Sequence, residues 1–420
     1  MTFSKIGRLV AALVATAALG LGMTACGGGT IGYMWVLGTF YNQISGFKID
    51  DYTGNLTAIN HSPFSSGGTN PVSVVVKPGG RYIYVINAGT GAVGVPNTTG
   101  YVGPTGANIS QFAVGGDGIL TFQQNFFSQG FNPVWASIDT SGNYLYVVDK
   151  YSPYYNGSSD QNGSITVFSI ASDTGRLTLV PNTQILKPGT QIPTTVFEVG
   201  PNPIMAKTGL GGCLFTLSPN SIYPYSINSS NGQLTQTATG PYAVSGSVQL
   251  SSINTGLNTS ASNFIYLTDY AANMIFSLQA GGTTCSLAPV SGSQQTNLPG
   301  TAHPANSLTS QSGKYLYVLN QSSTSTTTNS NSSISAFQIN TLGQLQQLAD
   351  STNNPYSVGS GPVCIVQDPT NQYLYISNNT DSTLTGKLID QNRGFLSNLS
   401  RGSVFPTTKN PTCLAVSGNI

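Results

Sequence analysis

Charge is what this sequence has least of. Only 6% of its 420 residues are Asp, Glu, Lys or Arg, against roughly a quarter in ordinary soluble chains. The net charge is +1, a balance that fits neither nucleic-acid steering nor a basic membrane-binding face. There is one Glu, Glu198, and there are two His, His61 and His303, so acid–base chemistry has few places to sit. The five Cys include no CxxC and no Cys/His ligand spacing, which argues against zinc. No Gly-rich phosphate loop, nucleophile elbow or metal motif is present, so neither cofactor nor metal is expected. The apolar run Leu9 to Leu21 is too short to span a bilayer comfortably.

Against these absences stand 49 Gly, 21 Tyr and 17 Phe. Ser, Thr, Asn and Gln take the surface role that charges usually fill. Low charge with many aromatics is not the composition of disorder. It reads as an all-β, turn-rich chain with a neutral polar exterior.

The first 25 residues read as a signal peptide. Lys5 and Arg8 form a basic start, the apolar run follows, and then come Met23-Thr24-Ala25-Cys26 and Gly27-Gly28-Gly29. This arrangement resembles a bacterial lipoprotein signal. That resemblance implies a lipid on Cys26, a tether over 26–30, and residence at the cell envelope. Gly rather than Asp after the Cys implies the outer membrane. The other four Cys are Cys213, Cys285, Cys364 and Cys413, an even count that export permits to pair.

Three signals repeat in fixed order along the remaining chain. A Pro opens an apolar strand at Pro71, Pro133, Pro203, Pro304, Pro362 and Pro411. An aromatic strand follows, as in "GRYIYVIN" (80–87), "GNYLYVVD" (142–149) and "GKYLYVLN" (313–320). A Gly-x-Leu opens a later strand at Gly54, Gly118, Gly175, Gly232, Gly343 and Gly394. With a short strand before each Gly-x-Leu, a unit has four strands. Complete units begin near 71, 133, 203, 246, 304 and 362. The fourth lacks the Pro, and its first strand is expected at 245–253. The lone last strand, about 411–416, complements the strands that begin the mature chain at 33–39, 44–50 and 54–59. Together they form a seventh unit. The expectation is one domain over 31–420: a seven-bladed β-propeller whose ring is closed by the C-terminal strand. An open solenoid would not need complementary ends.

The order of Pro, Gly, Tyr-x-Tyr-Val and Gly-x-Leu resembles the lactonase family of seven-bladed propellers, which includes 6-phosphogluconolactonases and carboxymuconate lactonising enzymes. The resemblance covers essentially the whole mature chain. It implies metal-independent hydrolysis of a lactone ring, with an Arg-His after the opening Pro and an Asn-Glu ending the next strand at one mouth of the channel. Here the His positions hold Ser73, Trp135, Met205, Asn306, Cys364 and Cys413, and the Asn-Glu position of the fifth unit holds Asn320-Gln321. An amide cannot serve as a general base.

No catalytic residue is therefore assigned. The candidate binding residues of the mouth are Trp135, Asp149, Asp269, His303, Asn306 and Gln321. Each has a plain structural alternative: strand-end capping for the two Asp, a plug of the channel for Trp135, a solvated loop for His303. Cys364 and Cys413 occupy equivalent positions in neighbouring inner strands, and a disulfide between them is expected to reinforce ring closure. A pairing of Cys213 with Cys285 is left open. Long polar inserts at 89–108, 151–163 and 320–333 decorate one face. The first expectation is thus a monomeric, envelope-anchored binding or scaffold module for a glycan, peptide or envelope component. The alternative is a divergent exported lactonase acting on a small lactone.

Overall fold

The computed structural model describes residues 29–90, 105–155, 161–186, 190–209, 211–237, 240–256, 263–292, 295–298, 302–321, 332–350 and 354–418. The expected signal segment, Cys26 and most of the tether lie outside them, as do the middles of the three inserts.

Seven antiparallel sheets form a ring. Their innermost strands are Pro71–Val76, Phe131–Ile138, Met205–Gly209, Leu250–Gly256, Pro304–Thr309, Pro362–Gln367 and Pro411–Gly418. Each packs against the next, and the last packs against the first. We number the blades 1 to 6 by these strands in chain order; the seventh is the closing blade. Pro411–Gly418 pairs with Thr30–Gly38, setting Trp35 opposite Ala415, so one blade holds both ends of the chain. The alternating patterns of the second strands explain why they build blades. Tyr315–Asn320 and Tyr373–Asn378 are buried at every position, because both sheet faces pack on neighbours.

Two details differ from the sequence reading. The outermost strand is unbroken only in blade 1, as Leu120–Phe126; in the other six sheets two short pieces share it, such as Leu345–Gln347 and Tyr356–Ser357 beside Ser333–Ile339. Blade 4 begins at Leu250 rather than 245. The Asp269 carboxylate accepts the N–H groups of Val248 and Gln249 and holds that approach as a turn.

The repeated residues do their work between blades. The first aromatic of each second strand lies over the glycine of the next blade's Gly-x-Leu. A side chain at Gly175, whose φ is +63°, would meet the Tyr82 ring at 2.5 Å, so glycine is required on both steric and backbone grounds. The second aromatic then latches the same turn. Tyr84, Tyr266, Tyr317 and Tyr375 donate their hydroxyls to the carbonyls of Gly175, Gly343, Gly394 and Gly54. Trp35 donates its indole N–H to Gly118. Each latch contributes about 1 kcal/mol.

Between blades 3 and 4 the pattern is replaced. Cys213 stands where the first aromatic would be, Cys285 stands where the glycine would be with φ +53°, and the two are joined as a disulfide. Cys364 and Cys413, expected to be bonded, are buried thiols with their Sγ atoms 2.9 Å apart. The pairing of Cys213 with Cys285, left open by the sequence, is formed because interblade packing juxtaposes those two strand positions, a relation that residue spacing alone did not reveal.

Candidate functional site

The structure separates the six candidate residues onto two levels of the ring. Asp149, Asp269, His303 and Gln321 lie at the face where the inner strands begin. Trp135 and Asn306 lie inside.

At the first level the polar groups are already engaged. Asp149 ends its strand where blades 1, 5 and 6 carry Asn87, Asn320 and Asn378. Those three amides donate to hydroxyls of the third strand: Ser110, Ser333 and Ser335, and Thr383 and Thr385. Asp149 accepts the Thr166 hydroxyl instead, at 2.9 Å. It is wholly buried, and burial pushes its pKa up to about 7, opposed by hydrogen bonds from Ser128, Thr166 and Gly130. Asp269 accepts the backbone N–H groups of Val248, Gln249, Ala271 and Ala272. His303 has φ +48°, stacks on Tyr270 with ring centroids 4.8 Å apart, and sets Nδ1 3.0 Å from the Tyr270 carbonyl. The Gln321 amide donates to the carbonyl of Pro362 at 2.8 Å, tying blade 5 to blade 6. Asn379 makes the same bond to Pro411. This latch requires a donor, which a carboxylate at that position lacks.

The second level is a cavity of 510 Å³ along the ring axis, lined by all seven inner strands. It extends from the level of Trp135, Met205, Asn306, Cys364 and Cys413 to Pro78, Asp139 and Gln311 in the turns that follow the inner strands. It therefore lies toward the face opposite the expected mouth. Trp135 lines the cavity and packs, partly buried, against clusters contributed by the closing blade, by blades 3 and 4, and by blades 2 and 3. Covering so large a side chain on three sides is favourable.

The lining is mainly apolar, with polar groups from Asn254, Asn306, Gln311, Gln367, Ser307 and Thr208 set into it. Asn254 and Asn306 each spend one amide N–H on a backbone carbonyl, Ser307 and Val363 respectively, which fixes them. Among the described residues Lys207 is the one cationic side chain in the lining. It is half-buried, and its partial desolvation holds its pKa below the ordinary lysine value; the nearby sulfurs of Cys413 and Cys364 act the other way. Asp139, the carboxylate of the lining, is committed to its own turn through the N–H groups of Asn143 and Tyr144. Among the described residues no group of three His, Cys, Asp or Glu gathers to hold a metal ion.

Lys207 escapes a sequence reading confined to the two positions after each Pro. The signal lies two residues further on. At the fourth position after the Pro the other blades carry Val75, Ser137, Leu308, Val366 and Ala415. A Lys in that row stands out.

The ring of seven four-stranded units with a cavity on its axis defines a seven-bladed β-propeller. Residues 258–416 match the model of the lactonase family, described as a seven-bladed β-propeller. The match covers the C-terminal blades, and the whole chain shares the seven-bladed fold. A putative 6-phosphogluconolactonase from Bacteroides fragilis is 18% identical with a TM-score of 0.67, over 92% of this chain and 98% of that one. The Pseudomonas aeruginosa periplasmic gluconolactonase is 16% identical with a TM-score of 0.67, over 93% of this chain and 100% of that one. At such identities these likenesses concern the fold. A search of curated proteins finds no match.

Proposed function

We propose that this protein is an exported hydrolase of a small, uncharged, polyhydroxylated lactone, acting in the axial cavity. The observation that carries this reading is the placement of Lys207, with four side-chain amides, in a mainly apolar cavity of 510 Å³, a size suited to one small ligand. The lactonase-family match over residues 258–416 and the gluconolactonase among the similar structures support lactone chemistry over a purely structural scaffold. One cation without Arg is poor equipment for a phosphorylated ring, while side-chain amides and hydroxyls suit sugar hydroxyls.

In the proposed reaction neutral Lys207 takes a proton from water as its oxygen attacks the ring carbonyl. The amide N–H groups not spent on backbone stabilise the oxyanion. The acyl–oxygen bond breaks, and the ring oxygen recovers the proton from Lys207, giving the open hydroxy acid. Export with a lipid on Cys26 belongs to the same proposal; it rests on the signal-like first 26 residues, and the periplasmic relative is consistent with it.

The test is hydrolysis of a lactone panel, including glucono-1,5-lactone, by the mature chain and by Lys207→Met. Turnover lost in the variant with an unchanged melting temperature supports the reading. Absence of turnover on every lactone, or full turnover in Lys207→Met, rejects it. The binding-module reading would then be tested on cell-envelope fragments.

A further inference from the structure

The five cysteines include one pair that the fold brings together without joining. Cys364 and Cys413 sit on the inner strands of blade 6 and the closing blade, which pack side by side. Their Sγ atoms are 2.9 Å apart, and both side chains line the axial cavity. A covalent bond needs them to approach by less than an ångström, within side-chain rotation. The seam they flank is the one that holds the C-terminal strand in the ring.

We propose that Cys364 and Cys413 form an exchangeable dithiol–disulfide pair, reached through the axial cavity, whose oxidation covalently locks the closing strand. Either sulfur can donate its hydrogen to the other, and the ammonium form of Lys207 lies near enough to favour a thiolate on either. Cys413 is taken as the attacking group.

The reaction needs a disulfide as oxidant. The Cys413 thiolate attacks one sulfur of a small disulfide RSSR; the S–S bond breaks and one thiol leaves after taking a proton. The Cys364 sulfur, its proton released, then attacks Cys413 Sγ and expels the second thiol. Two electrons pass from the protein to RSSR, and two protons end on the two departing thiols. The loop closed this way spans 49 residues and includes the last complete blade, so the cross-link restrains unfolding from the C-terminal end. This inference is independent of lactone hydrolysis.

The experiment exposes the mature chain to bis(2-hydroxyethyl) disulfide and maps each cysteine by differential alkylation and non-reducing peptide mass spectrometry. Wild type should give a Cys364–Cys413 cross-linked peptide and a higher melting temperature than before exposure. Cys364→Ser should accumulate one hydroxyethyl mixed disulfide on Cys413. Cys413→Ser should accumulate the corresponding adduct on Cys364. Both thiols still free after exposure, or cross-links from either to Cys213 or Cys285, would overturn the proposal. No mixed disulfide in either single variant would overturn access through the cavity.

Discussion

Cys213 and Cys285 occupy the two positions that an aromatic ring and a glycine occupy at the other six blade interfaces. Tyr33 over Gly118, Tyr82 over Gly175, Tyr144 over Gly232, Phe264 over Gly343, Tyr315 over Gly394 and Tyr373 over Gly54 are the six. The disulfide is therefore a covalent substitute for one tile of the repeat. Cys285 accepts a positive φ of 53° there, where the other blades use glycine.

This substitution makes a strong prediction. Breaking the bond with Cys213→Ser and Cys285→Ser should lower stability by about 2–5 kcal/mol, the usual effect of losing a native disulfide. Restoring the repeat's own solution, Cys213→Tyr with Cys285→Gly, should recover much of the loss. Cys213→Tyr alone should not, because the Cβ of Cys285 stands where the ring must lie. Chemical denaturation of the variants reads the coupling directly. A Tyr–Gly pair no better than Ser–Ser would show that the interface does not follow the repeat.

Asp149 is one of two carboxylates, with Asp269, in a position where three blades use Asn. Its pKa is raised in the folded state to about 7 by burial, above roughly 3.9 in the unfolded chain. The folded state thus binds more protons between those values, and stability must fall as pH rises from about 4 to about 7. An amide at this position would remove the cost of the buried charge. Asp149→Asn should raise the melting temperature at pH 8, by an energy on the order of a few kcal/mol, with the gain vanishing near pH 4. A gain that is the same at both pH values would refute the assignment. Lactone turnover should survive, since Asp149 lies outside the cavity lining.

Gln321 gives the opposite case, a position where the family resemblance would place a carboxylate. Its amide donates to Pro362 across the blade seam. Gln321→Glu should therefore cost about 1–3 kcal/mol at neutral pH by setting an acceptor against an acceptor. The cost should shrink in acid as the carboxyl regains its proton. Denaturant titration at two pH values measures both. A more stable Gln321→Glu protein would mean the latch is not what selects the amide.

How much of this could be read in advance follows from the range of each signal. Blade count and ring closure were legible because every blade repeats the same local chemistry: Pro at the inner strand, Tyr-x-Tyr in the second, Gly-x-Leu in the fourth. The Cys213–Cys285 bond was legible in principle, since both residues break the repeat at positions that meet across a blade interface. Finding it required knowing that the aromatic faces the next blade's glycine, a relation between blades rather than within one. The cavity's side was not legible. It depends on packing between blades, such as that of Trp135 against three clusters. Asp149 and Asp269 looked like a lined mouth because the sequence does not show what each carboxylate is spent on: the Thr166 hydroxyl for Asp149 and four backbone N–H groups for Asp269.

Lys207 carries the last prediction, and it concerns stability as well as rate. Partial desolvation lowers its pKa in the folded protein, so between that lowered value and about 10.4 the unfolded chain binds the extra proton. Stability should rise with pH across that window and be lowest where the half-buried ammonium is forced to stay charged. Lys207→Met should flatten this dependence and stabilise the protein most at the acid end. The proposed hydrolysis depends on the same neutral amine, so turnover in wild type should climb with pH through the same lowered pKa. Thermal melts and initial rates measured over one pH series supply both curves. A shared midpoint identifies one group behind them. Turnover that falls with rising pH would instead require Lys207 to act as its ammonium form, and would overturn its assignment as the base.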